Sequence, residues 1–187
     1  MAVPAACRQR DFRVTTSSGN RAVRVLTPAD AAAFRAIRLA GLADEPRAFS
    51  ADCADEVQYD LAWFAGRLQT STVFGVDDGG NDGEGGLCAV IGLAIPTNAK
   101  QRHRGHIWGV YVRPEARGRG LAAALLAAAI AAARGRVESL HLGVGTYNLA
   151  AIRAYAATGF IETGFVARAL RIGDAFIDEM TMSLDLR

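Results

Sequence analysis

The chain has 187 residues, a net charge of +2 and a hydrophobic share of 51%, which suits one globular domain able to bury most of what its unfolded chain exposes. The near-neutral charge excludes a dedicated nucleic-acid binder, which carries a basic excess, and no apolar run reaches the ~18 residues expected of a membrane span. Cys7, Cys53 and Cys88 are odd in number and widely spaced, with no C-x-x-C. They indicate neither a disulfide framework nor a zinc ribbon, and a reducing, cytoplasmic setting is expected because no signal-peptide pattern precedes the domain.

Residues 1–20 mix arginine, serine, threonine and glycine without periodicity and are expected to be a loosely held extension of a domain spanning 21–187. Arg21 to Leu26 reads as a first strand. Thr27-Pro28-Ala29-Asp30 reads as a helix start, because threonine caps and proline suits the first helical position. Ala33, Phe34, Ile37 and Ala40 continue that helix until Glu45-Pro46. A second helix is expected from Asp52 to Leu68, with Val57, Leu61, Phe64 and Leu68 as its buried stripe. Strands follow at 71–76 and 87–95, joined through a polar, glycine-rich loop at 77–86. A strand at 106–112, an alanine-rich helix at 119–134, a strand at 140–147 and a short helix at 148–158 come next. Two strands around Ile172-Gly173-Asp174 close the chain.

Consecutive strands favour antiparallel hairpins, whereas the strand–helix–strand unit at 106–147 requires a parallel pair with a right-handed crossover. The expected fold class is therefore α/β, with a mixed, twisted, mostly antiparallel sheet and helices on both faces.

The most informative stretch is Arg117-Gly118-Arg119-Gly120-Leu121-Ala122, between an apolar strand and the alanine-rich helix. Unpaired N–H groups and the positive end of the helix dipole converge at such a turn, and glycine lets an anion approach closely. A pyrophosphate is the expected guest. A P-loop would need a lysine after its second glycine, and Lys100, the only lysine, is elsewhere. Gly118-x-Gly120-x-x-Ala123 matches a relaxed dinucleotide pattern, but Arg113 to Ala116 separate the turn from its strand. The next strand also ends in Tyr147-Asn148 rather than in a carboxylate for a ribose.

The same turn resembles the R/Q-x-x-G-x-G/A signature of the GNAT superfamily of N-acetyltransferases, with Arg117, Gly120 and Ala122 on its defining positions. Asn148 to Phe160 is similar to that family's N-x-x-A-x-x-x-Y-x-x-x-G-F block, and element order agrees from 21 to 187. The resemblance implies the GNAT acyl-CoA N-acyltransferase fold, with one splayed parallel strand pair. It implies acetyl-CoA as co-substrate and transfer of its acetyl group to a primary amine, on a small molecule or a peptide.

It further assigns the phosphates to Arg117, Gly118, Arg119, Gly120, Leu121 and Ala122, and the pantetheine arm to the strand around Val110, Tyr111 and Val112. Asn148, with Ala151 beside it, would bond the arm, and Tyr155 would protonate the departing thiolate. A phenol suits that role, being protonated at neutral pH. The N–H of Val112 is the candidate for stabilising the developing oxyanion, and no cysteine lies in a motif that suggests a covalent nucleophile.

His106, which opens the strand leading to the acyl group, is the candidate base. His103-x-x-His106 lacks further ligands for a metal. Arg38, Phe49, Tyr59, Trp63 and Phe176 are candidates for acceptor recognition, and which of Asp52, Glu56 and Asp178 faces inward stays open. A homodimer through the C-terminal strands is common in such folds. The alternative reading is a CoA-binding regulatory module without turnover.

Overall fold

The computed structural model describes residues 14–15, 22–79 and 86–187. Most of the expected N-terminal extension, Arg21 and the middle of the 77–86 loop lie outside the described residues. The strands are β1 (Val14–Thr15), β2 (Ala22–Val25), β3 (Thr72–Asp77), β4 (Leu87–Ala94), β5 (Arg104–Val112), β6 (Ser139–Gly145), β7 (Ile161–Ile172) and β8 (Ala175–Asp185). The helices are α1 (Ala31–Asp44), α2 (Cys53–Glu56), α3 (Leu61–Thr70), α4 (Leu121–Ala133) and α5 (Leu149–Ala157). One sheet of order β1-β2-β3-β4-β5-β6-β8-β7 carries them, and every pairing is antiparallel except β5 with β6. The mixed sheet with one parallel pair is as expected. Within the expected loose extension, Val14–Thr15 instead pairs with the edge of β2.

Two apolar cores lie against the sheet. The first joins α4 and α5 to it through Leu121, Leu125, Leu126, Ile91, Leu142, Tyr155 and Phe160. The second joins α1 and α3 through Phe34, Ile37, Phe64, Leu68, Leu87 and Tyr111. β4 runs between the two cores and is buried from Leu87 through Leu93, so it reads as a continuous apolar run rather than an alternation. In α4, thirteen residues of alanine, leucine and isoleucine bring the helix close to the strands. Each fully buried leucine there contributes about 1.5–3 kcal/mol.

The expected single helix over 52–68 is two helices. Asp60 accepts the Trp63 N–H at 2.9 Å and caps α3, while Asp52 accepts from Ala54 at 2.7 Å and caps α2. These caps compete successfully with a continuous helix. Val57 and Leu61 fall on helical spacing across the break, but they are 48% and 50% exposed; the buried stripe is Phe64 and Leu68 alone. At the start of α1, Pro28–Asp30 forms a 3-10 turn, where the Asp30 carboxylate accepts the Thr27 N–H at 2.7 Å.

Candidate active site

The parallel pairing of β5 with β6 comprises Arg104 with Ser139, Gly105 with Leu140 and His106 with His141, and it stops there. Two features of β5 accompany its departure from β6. Opposite β4, the register passes from Gly92–Trp108 to Val90–Tyr111, so β5 holds an extra residue, and Gly109 within that bulge has φ +63°. Only glycine adopts this conformation without strain. A cleft of about 320 Å³ fills the splay. Ile107 to Val112 line it on one side, Leu142 to Gly145 on the other, and Asn148, Ala151, Ala154 and Tyr155 lie along α5. Beyond the last ladder pair, the facing backbone edges of β5 and β6 have no strand to bond with.

The predicted phosphate turn lies between β5 and α4, and Arg117 and Ala122 also line the cleft. Gly118 and Gly120 both have φ +74°, and a Cβ at either would meet no atom within 4 Å. Their glycines therefore answer to backbone handedness and to clear access from outside. The first backbone bond of α4 runs from the Ala124 N–H to the Gly120 carbonyl at 3.0 Å, which leaves the N–H groups of Leu121, Ala122 and Ala123 as the orphan donors of this helix start. The Leu121 side chain is buried in the core, so this residue brings only its backbone to the helix start.

Arg117 is already engaged. Its Nε donates to the Val112 carbonyl at 3.1 Å, and a terminal nitrogen pairs with Glu45 at 3.1 Å. It ties the turn to the end of α1, leaving Arg119 as the exposed arginine of the turn without a protein partner among the described residues.

Tyr155 is 8% exposed and packs at a tilt against Phe160. Burial pushes its pKa up to about 12. Its hydroxyl has no hydrogen-bond partner among the described residues, and the residue lines the cleft. The result is a phenol held neutral beside the cavity. Asn148 caps α5, with its side-chain oxygen accepting the Ala151 N–H at 3.1 Å. That bond orients the amide and leaves its NH₂ for a guest. Tyr111 contributes backbone to the cleft, but its ring is packed over Gly41 of α1 and its hydroxyl donates to Asp44.

On the α1–α3 side of the sheet, His106 is exposed and outside the cleft lining, with its ring centroid 6.3 Å from that of His141. Arg104 and Ser139 reach the His141 ring, whose pKa is lowered by burial and by the Arg104 charge. His106 shares its face of β5 with Trp108, two residues on and next to the bulge. Among the described residues no group of three or more His, Cys, Asp or Glu side chains could hold a metal ion.

Of the acceptor candidates, Arg38 and Phe49 adjoin the site: Phe49 lines the cleft, and the Arg38 guanidinium lies 5.2 Å from its ring centroid. Glu56 is the acid that faces inward. It is 5% exposed and bound at both oxygens by Arg38, at 2.8 and 3.0 Å. Asp52 caps α2, and Asp178 accepts the Arg168 N–H at 2.7 Å. Tyr59 stacks on Trp63, with centroids 4.4 Å apart. Phe176, in the final hairpin, lies under Arg168 and Arg171 and does not line the cleft.

Three residues not singled out by sequence stand on this side as well. Trp108 lines the cleft, Arg67 lies over Trp108 with its guanidinium 4.4 Å from a ring centroid, and the Glu179 carboxylate sits over Gly143. An arginine four residues after Trp63 on α3 was the one available signal.

The family model described as "Acetyltransferase (GNAT) family" matches residues 39–160. No curated protein matches the chain. Among solved structures, an acetyltransferase of the GNAT family from Streptococcus pneumoniae is similar at a TM-score of 0.75 and 24% identity, covering 87% of this chain and 98% of its own. A ribosomal-protein-alanine N-acetyltransferase from Brucella melitensis is 26% identical, with a TM-score of 0.69 over 88% of this chain and 99% of its own. A GNAT superfamily phosphinothricin acetyltransferase from Sinorhizobium meliloti, in complex with acetyl-CoA, is 19% identical, with a TM-score of 0.73 over 89% of this chain and 88% of its own. With the family model spanning the turn, the bulged strand and the Asn148–Phe160 block, the chain belongs to the GNAT family of acetyltransferases.

Proposed function

We propose that this chain transfers the acetyl group of acetyl-CoA to a primary amine by direct attack. One observation carries the reading: the β5–β6 splay makes a cleft that joins the α4 N-terminus, the Gly109 bulge and the Tyr155 side chain. A thioester cofactor with a pyrophosphate at one end and an extended amide arm suits such a slot. The free N–H groups of Leu121, Ala122 and Ala123 take the phosphates with help from Arg119, and the unladdered backbone around Val110 and Val112 takes the arm. Asn148 adds a side-chain bond from its NH₂. The acetyl-CoA complex of the Sinorhizobium relative supports this choice of donor.

The amine nitrogen attacks the thioester carbon from the Trp108 side. The new C–N bond forms as the C–S bond breaks, and Tyr155 gives its proton to the leaving sulfur. Negative charge growing on the carbonyl oxygen is stabilised by a β5 N–H, that of Val112 being the candidate. The ammonium proton leaves through that same side, where His106 and Glu179 are the available acceptors. Neither described cysteine lines the cleft, in keeping with a route that forms no covalent enzyme.

A thermal-shift titration tests the donor half, because a ligand of the native state stabilises by mass action. CoA at millimolar concentration should raise the melting temperature. No shift at that concentration removes the proposal, whereas a shift with no acetylation across a broad amine panel favours the regulatory alternative.

A further inference from the structure

Among the described residues the buried and half-buried arginines, with Arg117 at the turn, are nearly all neutralised or bonded. Arg24 pairs with Asp30 and Asp77, Arg38 with Glu56, and Arg117 with Glu45; Arg113 donates to the Leu87 carbonyl. Arg67 is the exception. It lies on α3 with its guanidinium 5.1 Å from a Trp63 ring centroid and 4.4 Å from one of Trp108. No carboxylate pairs with it, and none of its N–H groups has a protein acceptor among the described residues.

The nearby carboxylate, Glu56, is held at both oxygens by Arg38. Arg38, Glu56 and Arg67 therefore leave one positive charge uncompensated. Burial and the Arg38 charge both pull the Arg67 pKa below its ordinary value, as expected of a cation without its anion. A guanidinium presents N–H donors in a planar fork that fits a carboxylate, and stacking on tryptophan holds that plane in place.

The location relates this charge to the reaction. Trp108, beneath Arg67, is covalently next to Gly109 of the bulge, and a Cβ at Gly109 would lie 3.6 Å from an Arg38 terminal nitrogen. We infer that Arg67 is a specificity-determining residue: the acceptor is a small amine that also carries a carboxylate, an amino acid being the simplest case, and that carboxylate docks on the Arg67 guanidinium between Trp63 and Trp108. This rests on the proposed transfer to an amine at the bulge. The carboxylate only binds, and the bonds made and broken are those of that transfer.

The test compares the standard L-amino acids with their carboxamides as acceptors, using intact protein and acetyl-CoA. At least one free acid should be acetylated with a kcat/KM about tenfold to a hundredfold above its carboxamide, the range for a hydrogen bond to a charged group. Arg67→Gln should raise KM for that acid by a similar factor and move KM for the carboxamide far less, with Arg67→Lys restoring part of the difference. An arginine that merely covers Trp108 would change both substrates alike. Carboxamides preferred over acids, or an acid preference that survives Arg67→Gln, overturns the inference. If Arg67→Gln does not fold, the wild-type comparison decides alone. No turnover in either set, with CoA still raising the melting temperature, also overturns it and leaves the donor site standing. Loss of the CoA shift in the wild type would instead be failure of the underlying reading.

Discussion

The two sides of the bulged strand β5 are built from different materials. Towards α4 and α5 the cleft offers backbone: the N–H groups after Gly120, the unladdered edge of β5, and small side chains such as Ala122, Ala151 and Ala154. Towards α1 and α3 it offers side chains: Phe49 and Trp108 line it, backed by Arg38 over Phe49, Glu56 paired with Arg38, and Arg67 over Trp108. A surface made of backbone is indifferent to most substitutions that preserve the turn. One made of side chains changes its guest with every replacement. Under the proposed function, the first side fixes the donor and the second chooses the acceptor.

The largest effect that would sharpen this contrast is catalytic. Tyr155→Phe should lower kcat by about 10²–10⁴-fold, the range for a positioned general acid, with little change in the CoA-induced melting shift. An unchanged kcat would assign the proton to another group.

Next is a charge placed on the backbone side. Gly120→Glu puts a Cβ at φ +74° and a carboxylate at the anion site, so CoA should no longer raise the melting temperature. Circular dichroism should still report the fold, because nothing packs against that position.

On the side-chain side, Glu56→Ala strands the Arg38 guanidinium in a buried setting. It should destabilise the protein by about 3–5 kcal/mol in denaturant unfolding. Loss below 1 kcal/mol would mean that water reaches Arg38 freely.

The alkaline limb gives a smaller and more specific reading. Tyr155 in the folded state titrates at about 12, above the ordinary value of about 10 for an unfolded tyrosine. The unfolded chain therefore loses this proton first, and stability falls as pH rises from about 10 towards 12. Tyr155→Phe should flatten that part of the melting-temperature profile. It should leave the share due to Tyr111, whose pKa burial and Asp44 also push up to about 12. In the catalysed reaction, a rate limb near pH 9 would belong to some other group.

The smallest expected effect is Glu45→Gln, which frees Arg117 at the surface. Such exposed pairs contribute about 0–1 kcal/mol. The change should hardly move the melting temperature of the free protein.

The same division explains what could be read from the chain before any fold was seen. The backbone side depends on local geometry, so the glycines of its turn, its helix cap and its tyrosine sit within two short runs, Arg117–Ala122 and Asn148–Phe160. The parallel pair followed from the strand–helix–strand spacing of apolar runs, whereas the place of β8 between β6 and β7 was not written in it. The acceptor side had no such signature. Arg67 and Trp108 are 41 positions apart in sequence and meet only through packing. The break between α2 and α3 was hidden because Val57 and Leu61 stay on helical spacing across it, and only Asp60 marks the new start. Arg117 reads as a phosphate ligand in sequence, and its carboxylate partner, 72 residues away, comes into view only in the fold.

The short β5–β6 ladder has one more consequence. An ordinary open sheet has two edges, whereas this one has four, because three paired residues are followed by two strand margins that diverge within the molecule. The outer edge at β7 is long, but its pairing with β8 is irregular at Glu162–Gly164 and Val166–Leu170, and Arg168 sits at φ +53°. Such kinks discourage another chain from adding a strand there. The inner margins need no such device. They confront each other across a gap lined by α5, so a flexible single-chain guest can thread between them where a neighbouring sheet cannot.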